Sequence, residues 1–256
     1  HTEAYCLYAY GNWAEAFDNM RRSLVLRKEL TDDHAISLAT GDANPATQHK
    51  EGLKTMALMA WTLGYVDQAL AYLSDSNAIP HPDISPFHHT NSLFMMSLIY
   101  RLLEDVDAVA TLGEQMLSLG TEYELPMAIA SGNICLGWAL ARRRDVMEGA
   151  RLITKGVDGM RQMGHTMHQP LRLAELADLY IGVGELEPAG AALQEALTIC
   201  HTAGERRWQA EVHRISALLA AAQHAPAEQV ELHFNRALDV ARRQQARALE
   251  LRAATS

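Results

Sequence analysis

Leu63-Gly64-Tyr65-Val66-Asp67-Gln68-Ala69-Leu70 reads as a tight turn closing one helix, then a helix that opens on an acid and buries an alanine. The same punctuation returns with Val109, Gly149, Ala189 and Val230 in the place of Ala69, at intervals of 40, 40, 40 and 41 residues. An earlier copy, Gly11-Asn12-Trp13-Ala14-Glu15-Ala16, stands 53 residues before Ala69. A fixed period of this size is the mark of a stack of like supersecondary units, each unable to bury its apolar face alone.

Working outward from the anchor, the residue twelve positions earlier is small: Ala4, Ala57, Ser97, Gly137 and Ala177, with Ala217 one place out of register in the last copy. A small residue in mid-helix lets a neighbouring helix come close, and Met56, Met96, Leu136 and Leu176 beside it fill the groove. After the anchor, Leu73, Leu193 and Phe234, then Ala196 and Ala237, continue a helical stripe. Each unit is therefore expected to be two antiparallel helices, A and B, joined by a short turn. Asp67, Asp107, Glu187 and Glu228 sit where an acid meets the positive end of helix B. Pro45, Pro86, Pro126 and Pro170 mark where the A helices are entered.

The spacing predicts an all-α, right-handed α-solenoid of about six such pairs, at about 2–30, 46–78, 87–121, 127–164, 169–203 and 205–246. Residues 31–45 are the excess over the period, an insertion of the kind that maps to a loop, and 247–256 begin a further repeat. The whole of 1–256 is read as one superhelical domain cut from a longer chain, since residue 1 is His inside an expected A helix. Cut repeat ends expose apolar surface, through which a homodimer can form.

Composition agrees: 48% of residues are hydrophobic and only 6% aromatic, with no alternating strand-like segment. A net charge of −9 argues against a nucleic-acid surface, whose footprint is a clustered basic face. The dense basic run Arg142-Arg143-Arg144 falls at a helix C-terminus, where cations suit the dipole. Cys6, Cys135 and Cys200 are far apart and read as small core residues of a reducing compartment. No apolar run reaches transmembrane length and no signal peptide is present, so no membrane is expected and the location is read as cytoplasmic.

A pair with a small residue at its eighth position, an aromatic or Leu at the eleventh and Ala at the twentieth resembles the tetratricopeptide (TPR) repeat. Tyr100 and Tyr180 take the aromatic place, Ala69 and Ala189 the alanine. The period is 40 rather than the usual value of about 34. Gly204-Glu205-Arg206-Arg207-Trp208-Gln209-Ala210-Glu211-Val212-His213-Arg214 narrows the resemblance, as do Phe234-Asn235-Arg236-Ala237-Leu238-Asp239-Val240-Ala241-Arg242-Arg243-Gln244 and Leu249-Glu250-Leu251-Arg252-Ala253-Ala254-Thr255-Ser256. These are similar to the C-terminal TPR region of bacterial multidomain regulators. In that group an adenylate/guanylate cyclase domain, or a DNA-binding domain, precedes a signal-transduction ATPase domain and then the TPRs. His34 and Gly41-Asp42 fall where the group carries a His and a Gly-Asp in its interrupted loop. The resemblance implies a module and not the catalytic part.

Chemistry is sparse. The chain has no G-x-x-x-x-G-K-[ST], H-E-x-x-H or G-x-S-x-G, and Gly182-Val183-Gly184 is turn punctuation. Of 12 histidines, His81, His88 and His89 with Asp83, and His165 with His168, cluster in expected loops without the spacing of a closed zinc site. Met160, Met163 and Met167 recur at helical spacing and read as core. No catalytic residue, metal or cofactor is therefore assigned. In TPR-like stacks the A helices line the concave side. On that register the lining comprises Tyr5, Tyr8, Glu51, Lys54, Trp61, Asn91, Phe94, Arg101, Ser131, Trp138 and Asp178. Aromatic and Arg residues among mixed charges suit a protein or peptide partner, which includes other domains of the parent chain. Trp61, Phe94 and Trp138 fit packing between pairs equally well, while Lys54 and Arg101 favour lining because charges are seldom fully buried. The expected function is protein–protein interaction and regulation, coupled to an ATPase, cyclase or transcription-regulator domain. A small-molecule sensor and an oligomerisation scaffold stand as alternatives.

Overall fold

The computed structural model describes residues 2–29, 45–79 and 85–256. Residues 31–44 of the insertion, with His34 and Gly41-Asp42, lie outside them, as do His81 and Asp83. The described residues form helices and no strand: α1 (Thr2–Ala9), α2 (Trp13–Glu29), α3 (Pro45–Thr62), α4 (Val66–Ala78), α5 (Pro86–Leu102), α6 (Val106–Glu122), α7 (Pro126–Arg142), α8 (Val146–Gln162), α9 (Gln169–Gly182), α10 (Leu186–Thr202), α11 (Gln209–Ala222), α12 (Ala227–Arg243) and α13 (Arg247–Ala254). Among them no helix is long and apolar enough to cross a membrane. The architecture is an all-helical repeat solenoid.

The turn that punctuates each repeat is one hydrogen-bond motif. Three residues past each A helix, an N–H reaches back five positions: Asn12 to Leu7 O (2.9 Å), Tyr65 to Ala60 O (2.8 Å), Asp105 to Tyr100 O (3.0 Å), Asp145 to Leu140 O (3.0 Å), Glu185 to Tyr180 O (2.9 Å) and Ala225 to Ala220 O (3.0 Å). This bond needs a left-handed residue just before its donor. Gly11, Gly64 and Gly184 supply it, but so do Glu104, Arg144 and His224, at φ 57°, 78° and 55°. A side chain there costs about 1–2 kcal/mol, which the recovered carbonyl bonds offset. Glycine alone would thus have marked only half of these turns. Asp105 and Asp145 then cap the following helices through the N–H groups of Ala108 (3.0 Å) and Glu148 (3.4 Å).

Packing follows the small residues. A Cβ added to Gly137 would strike the Gly149 carbonyl, and one added to Gly149 would strike that of Gly137, so α7 and α8 cross backbone to backbone. Gly132 also lies close against the Gly113 carbonyl of α6, though less tightly. Cys135 and Cys200 are buried as expected, but Cys6, on short α1, is exposed. Met160 is core, whereas Met163 and Met167 are 41% and 44% exposed, because the helix ends at Gln162 and the stripe runs off it.

The array also closes on itself. Most successive helices pack on one another, and α13 packs against α3 as well. Gly64 lies against Arg247, and Leu249 shares an apolar cluster with Met56, Trp61 and Trp13. The α1–α2 turn meets the far end of the chain: the Arg206 N–H donates to Ala9 O (2.9 Å), and the Trp13 and Trp208 rings meet edge to face at 5.7 Å. The Gln244 side chain donates to Arg206 O at 2.8 Å beside Gly11, where only a residue without Cβ leaves room for it. A nearest-neighbour solenoid has no such contacts.

Candidate functional site

Closure turns the A-helix side of the later repeats into a narrow crevice between α5, α7, α9, α11 and α13. The period supplies its lining: Leu98, Trp138 and Asp178 hold the same repeat position, 40 residues apart, and Leu102 and Arg142 another. Charge pairs fill most of it. Arg101 Nη1 donates to Glu175 Oε2 at 2.6 Å. Arg142 grips Glu104 through Nε (2.9 Å) and Nη2 (3.2 Å), and its guanidinium lies 4.9 Å from the Trp138 ring centre. Arg214 forks onto Glu211 at 3.1 and 2.8 Å, while Arg252 from α13 donates to the same Glu211 Oε1 at 2.9 Å.

Burial sets the acid strengths. Burial pushes the Glu175 carboxyl up against the pull of Arg101 and Arg142, and pushes Asp178 up against Arg214 and Arg142. At Glu211 burial acts the same way, but the hydrogen bonds from Arg214 and the Arg252 charge outweigh it and hold the carboxyl below its ordinary value.

Trp208 also belongs to an aromatic and cationic plug that joins the first repeat to the later ones. Tyr8, Phe94 and Trp208 surround His168, and Arg207 stacks on Tyr8 at 3.8 Å while donating to Glu205 at 2.8 Å. Arg172, wholly buried, stacks on Phe94 at 5.1 Å and is lowered by burial to about 10. Burial likewise pushes the Tyr8 phenol well up.

The sequence-derived residues separate into four places. Arg101, Trp138 and Asp178 line the crevice. Asn91, Phe94 and Ser131 meet on a different, apolar groove between α5 and α7, with Phe87, Met127 and Met163 as walls and about 640 Å³ of space including its open mouth. Tyr8 belongs to the plug. Tyr5, Glu51, Lys54 and Trp61 lie on or beside α3. There Lys54 is fully buried, donating to Glu51 Oε1 (2.9 Å) and to Ser92 Oγ, and burial lowers its pKa despite Glu51. Tyr5 Oη and Thr55 Oγ1 are 3.4 Å apart, and Trp61 is packed in the core. Lys54 and Arg101 are thus buried in ion pairs with Glu51 and Glu175, although charges are seldom fully buried. Glu175, Glu211, Arg214, Arg252 and Trp208 escaped the reading, although Trp208 stands 40 residues after His168 and that spacing was visible.

Among the described residues no group of three or more His, Cys, Asp or Glu is placed to hold a metal ion. His88 Nδ1 instead sits 2.8 Å from Ser85 Oγ at a helix start, and His168 is committed to Trp208.

No protein-family model matches the chain. It is 26% identical over 206 residues, 79% of its length, to an uncharacterized protein of Rhizobium meliloti (strain 1021), and spans 20% of that protein. The crystal structure of BtubC (BKLC) from P. vanneervenii superposes with a TM-score of 0.54 at 15% identity, over 89% of this chain and 90% of that one. At that identity the likeness concerns the fold, and it joins this chain to a solved helical architecture of the same extent.

Proposed function

We propose that the chain is a non-catalytic, TPR-like protein–protein interaction and regulatory module, a right-handed superhelix of about six pairs that forms one domain. On this reading it works in the cytoplasm as part of a larger regulator and couples partner binding to an ATPase, cyclase or transcription-regulator domain. The relative of which it spans only 20% supports a place within a longer chain. The observation that carries the proposal is the groove of Asn91, Phe94 and Ser131. Its walls are apolar and its rim holds Phe87, 51% exposed, and Met163, a flexible side chain suited to accepting an apolar anchor of a peptide. Lys54 and Arg101 spend their charges internally, so the groove and not the ionic face receives the partner. Coupling follows from closure: occupancy that shifts α5 against α7 strains contacts that join the first and last repeats.

The test mixes the 256-residue chain with the remaining domains of its parent reading frame. Co-elution and a change in nucleotide turnover are expected, and both should be lost in Asn91→Arg with Met163→Glu while helicity is kept. Co-elution that survives these changes would remove the groove, and no association at all would remove the module reading.

A further inference from the structure

The crevice holds one carboxylate without an ion pair and one guanidinium with a donor still unused, within an otherwise balanced set. Its lining carries four guanidinium groups, on Arg101, Arg142, Arg214 and Arg252, and four carboxylates, on Glu104, Glu175, Asp178 and Glu211. Three of the carboxylates are bonded to arginines. Asp178 has no ion pair among the described residues. Arg101, only 4% exposed, gives Nη1 to Glu175, and its buried Nε finds no acceptor among the described residues. A guanidinium carries five donors and one such bond leaves it unsatisfied.

The chemistry of a fitting ligand is constrained by what surrounds these two groups. A lone cation would meet Asp178 but also Arg142, Arg214 and Arg252, whose charges act on that carboxylate. A lone anion would meet Arg101 but also Glu175. In a site of low polarizability either one adds an uncompensated charge. A ligand carrying both keeps the set neutral. The side chains leave room for about three water molecules, so it is small. Trp138, Leu179 and Leu249 provide apolar cover.

We infer that the crevice binds a small zwitterion, a free α-amino acid with a short side chain, its carboxylate toward Arg101 and its ammonium toward Asp178 beneath Trp138. Burial, which disfavours the bare Asp178 carboxylate, makes an ammonium partner more favourable there. This site is separate from the groove and goes beyond the interaction reading.

The experiment titrates the 256-residue chain with glycine, alanine and serine by calorimetry, beside acetate, methylammonium, glycinamide and N-acetylglycine as single-charge probes. At least one amino acid should bind saturably and raise the thermal midpoint with concentration. Each single-charge probe should bind at least tenfold more weakly, and Asp178→Asn, with wild-type helicity, should weaken the amino acid at least tenfold. In Trp138→Phe the ligand-induced change in indole fluorescence should fall by more than half. Absence of saturable binding overturns the inference, as do equal binding of one single-charge probe, undiminished binding to Asp178→Asn, or an unchanged fluorescence response in Trp138→Phe. Loss of partner capture in the groove variants leaves these titrations unaltered, so the two readings fail separately.

Discussion

The Trp208 indole donates its Nε1–H to Nδ1 of His168 at 3.0 Å, across one full repeat of 40 residues. His168 is fully buried and left-handed, at φ 58°. A neutral imidazole accepts at one nitrogen only, so this bond places the ring proton on Nε2. That proton faces Arg207 Nη1 at 3.3 Å, a donor against a donor, and Arg207 is held instead by Glu205 and the Tyr8 ring. The bond therefore ties the start of α9 to the start of α11 and, through Trp13, to the first repeat.

His168→Ala should cost about 2–4 kcal/mol, because it orphans a buried indole N–H and removes ring packing. His168→Asn should lose roughly half as much, since its amide oxygen can accept and Asn tolerates the left-handed backbone. Urea unfolding at pH 7.5 measures both. Equal losses would show that packing, and not the hydrogen bond, carries the effect.

Stability should fall on acidification. Burial, with Arg207 and Arg172 beside it, holds His168 well below the ordinary value, and burial with Arg236 nearby holds His213 at about 4. Unfolded histidine titrates near 6.5, so between those values the unfolded chain takes up protons that the folded chain refuses. Stability is then full above about pH 7 and is lost as pH drops through 6.5, by roughly 3 kcal/mol at pH 4 for His213. Glu175, Asp178 and Glu205, pushed up by burial, act with the opposite sign and offset part of the loss near pH 5. The thermal midpoint of His213→Gln should therefore fall less than that of the parent chain between pH 7 and pH 5. Parallel curves would remove His213 as a contributor.

Two glycines should respond oppositely to alanine. Gly137→Ala drives a Cβ into the Gly149 carbonyl and the Ile153 backbone, which cannot rotate away, and should cost about 3 kcal/mol or more. Gly190→Ala, within α10, meets only Leu219 Cδ2 at 3.7 Å and should stabilise by about 0.5–1 kcal/mol. Calorimetric midpoints moving in the same direction would contradict the close α7–α8 crossing.

Glu211→Gln leaves Arg214 buried without its counter-charge and should cost about 3 kcal/mol. Arg252→Ala removes a cation whose side chain is 36% exposed, leaves the Arg214 fork intact, and should cost about 1 kcal/mol or less. Because the fork is buried, the Glu211 loss should change little between low and high salt. A loss that vanishes in salt would mark the fork as a surface pair.

The local rules of the fold were present in the chain itself. The 40-residue spacing, the small residues at Ala57, Ser97, Gly137 and Ala177, and the acids after each turn concern neighbours in sequence or adjacent repeats, and helix periodicity alone makes them legible. Even there, Glu104, Arg144 and His224 took left-handed turn positions that only hydrogen-bond accounting could assign to them.

The site was legible in part for the same reason. Helix register placed Arg101, Trp138, Asp178, Asn91, Phe94 and Ser131 on a single concave lining, which the structure divides between the crevice and the apolar groove. It could not show that Lys54 has Glu51 and Ser92 to receive it in the interior, nor that α13 returns to α3 and brings Arg252 to Glu211. Curvature accumulates from small rotations between repeats, each set by how particular side chains interlock. A period carries no record of those rotations. The sequence by itself determined the repeat and its faces; the tertiary structure decided that the array closes, which charges face one another inside it, and which groove stays open.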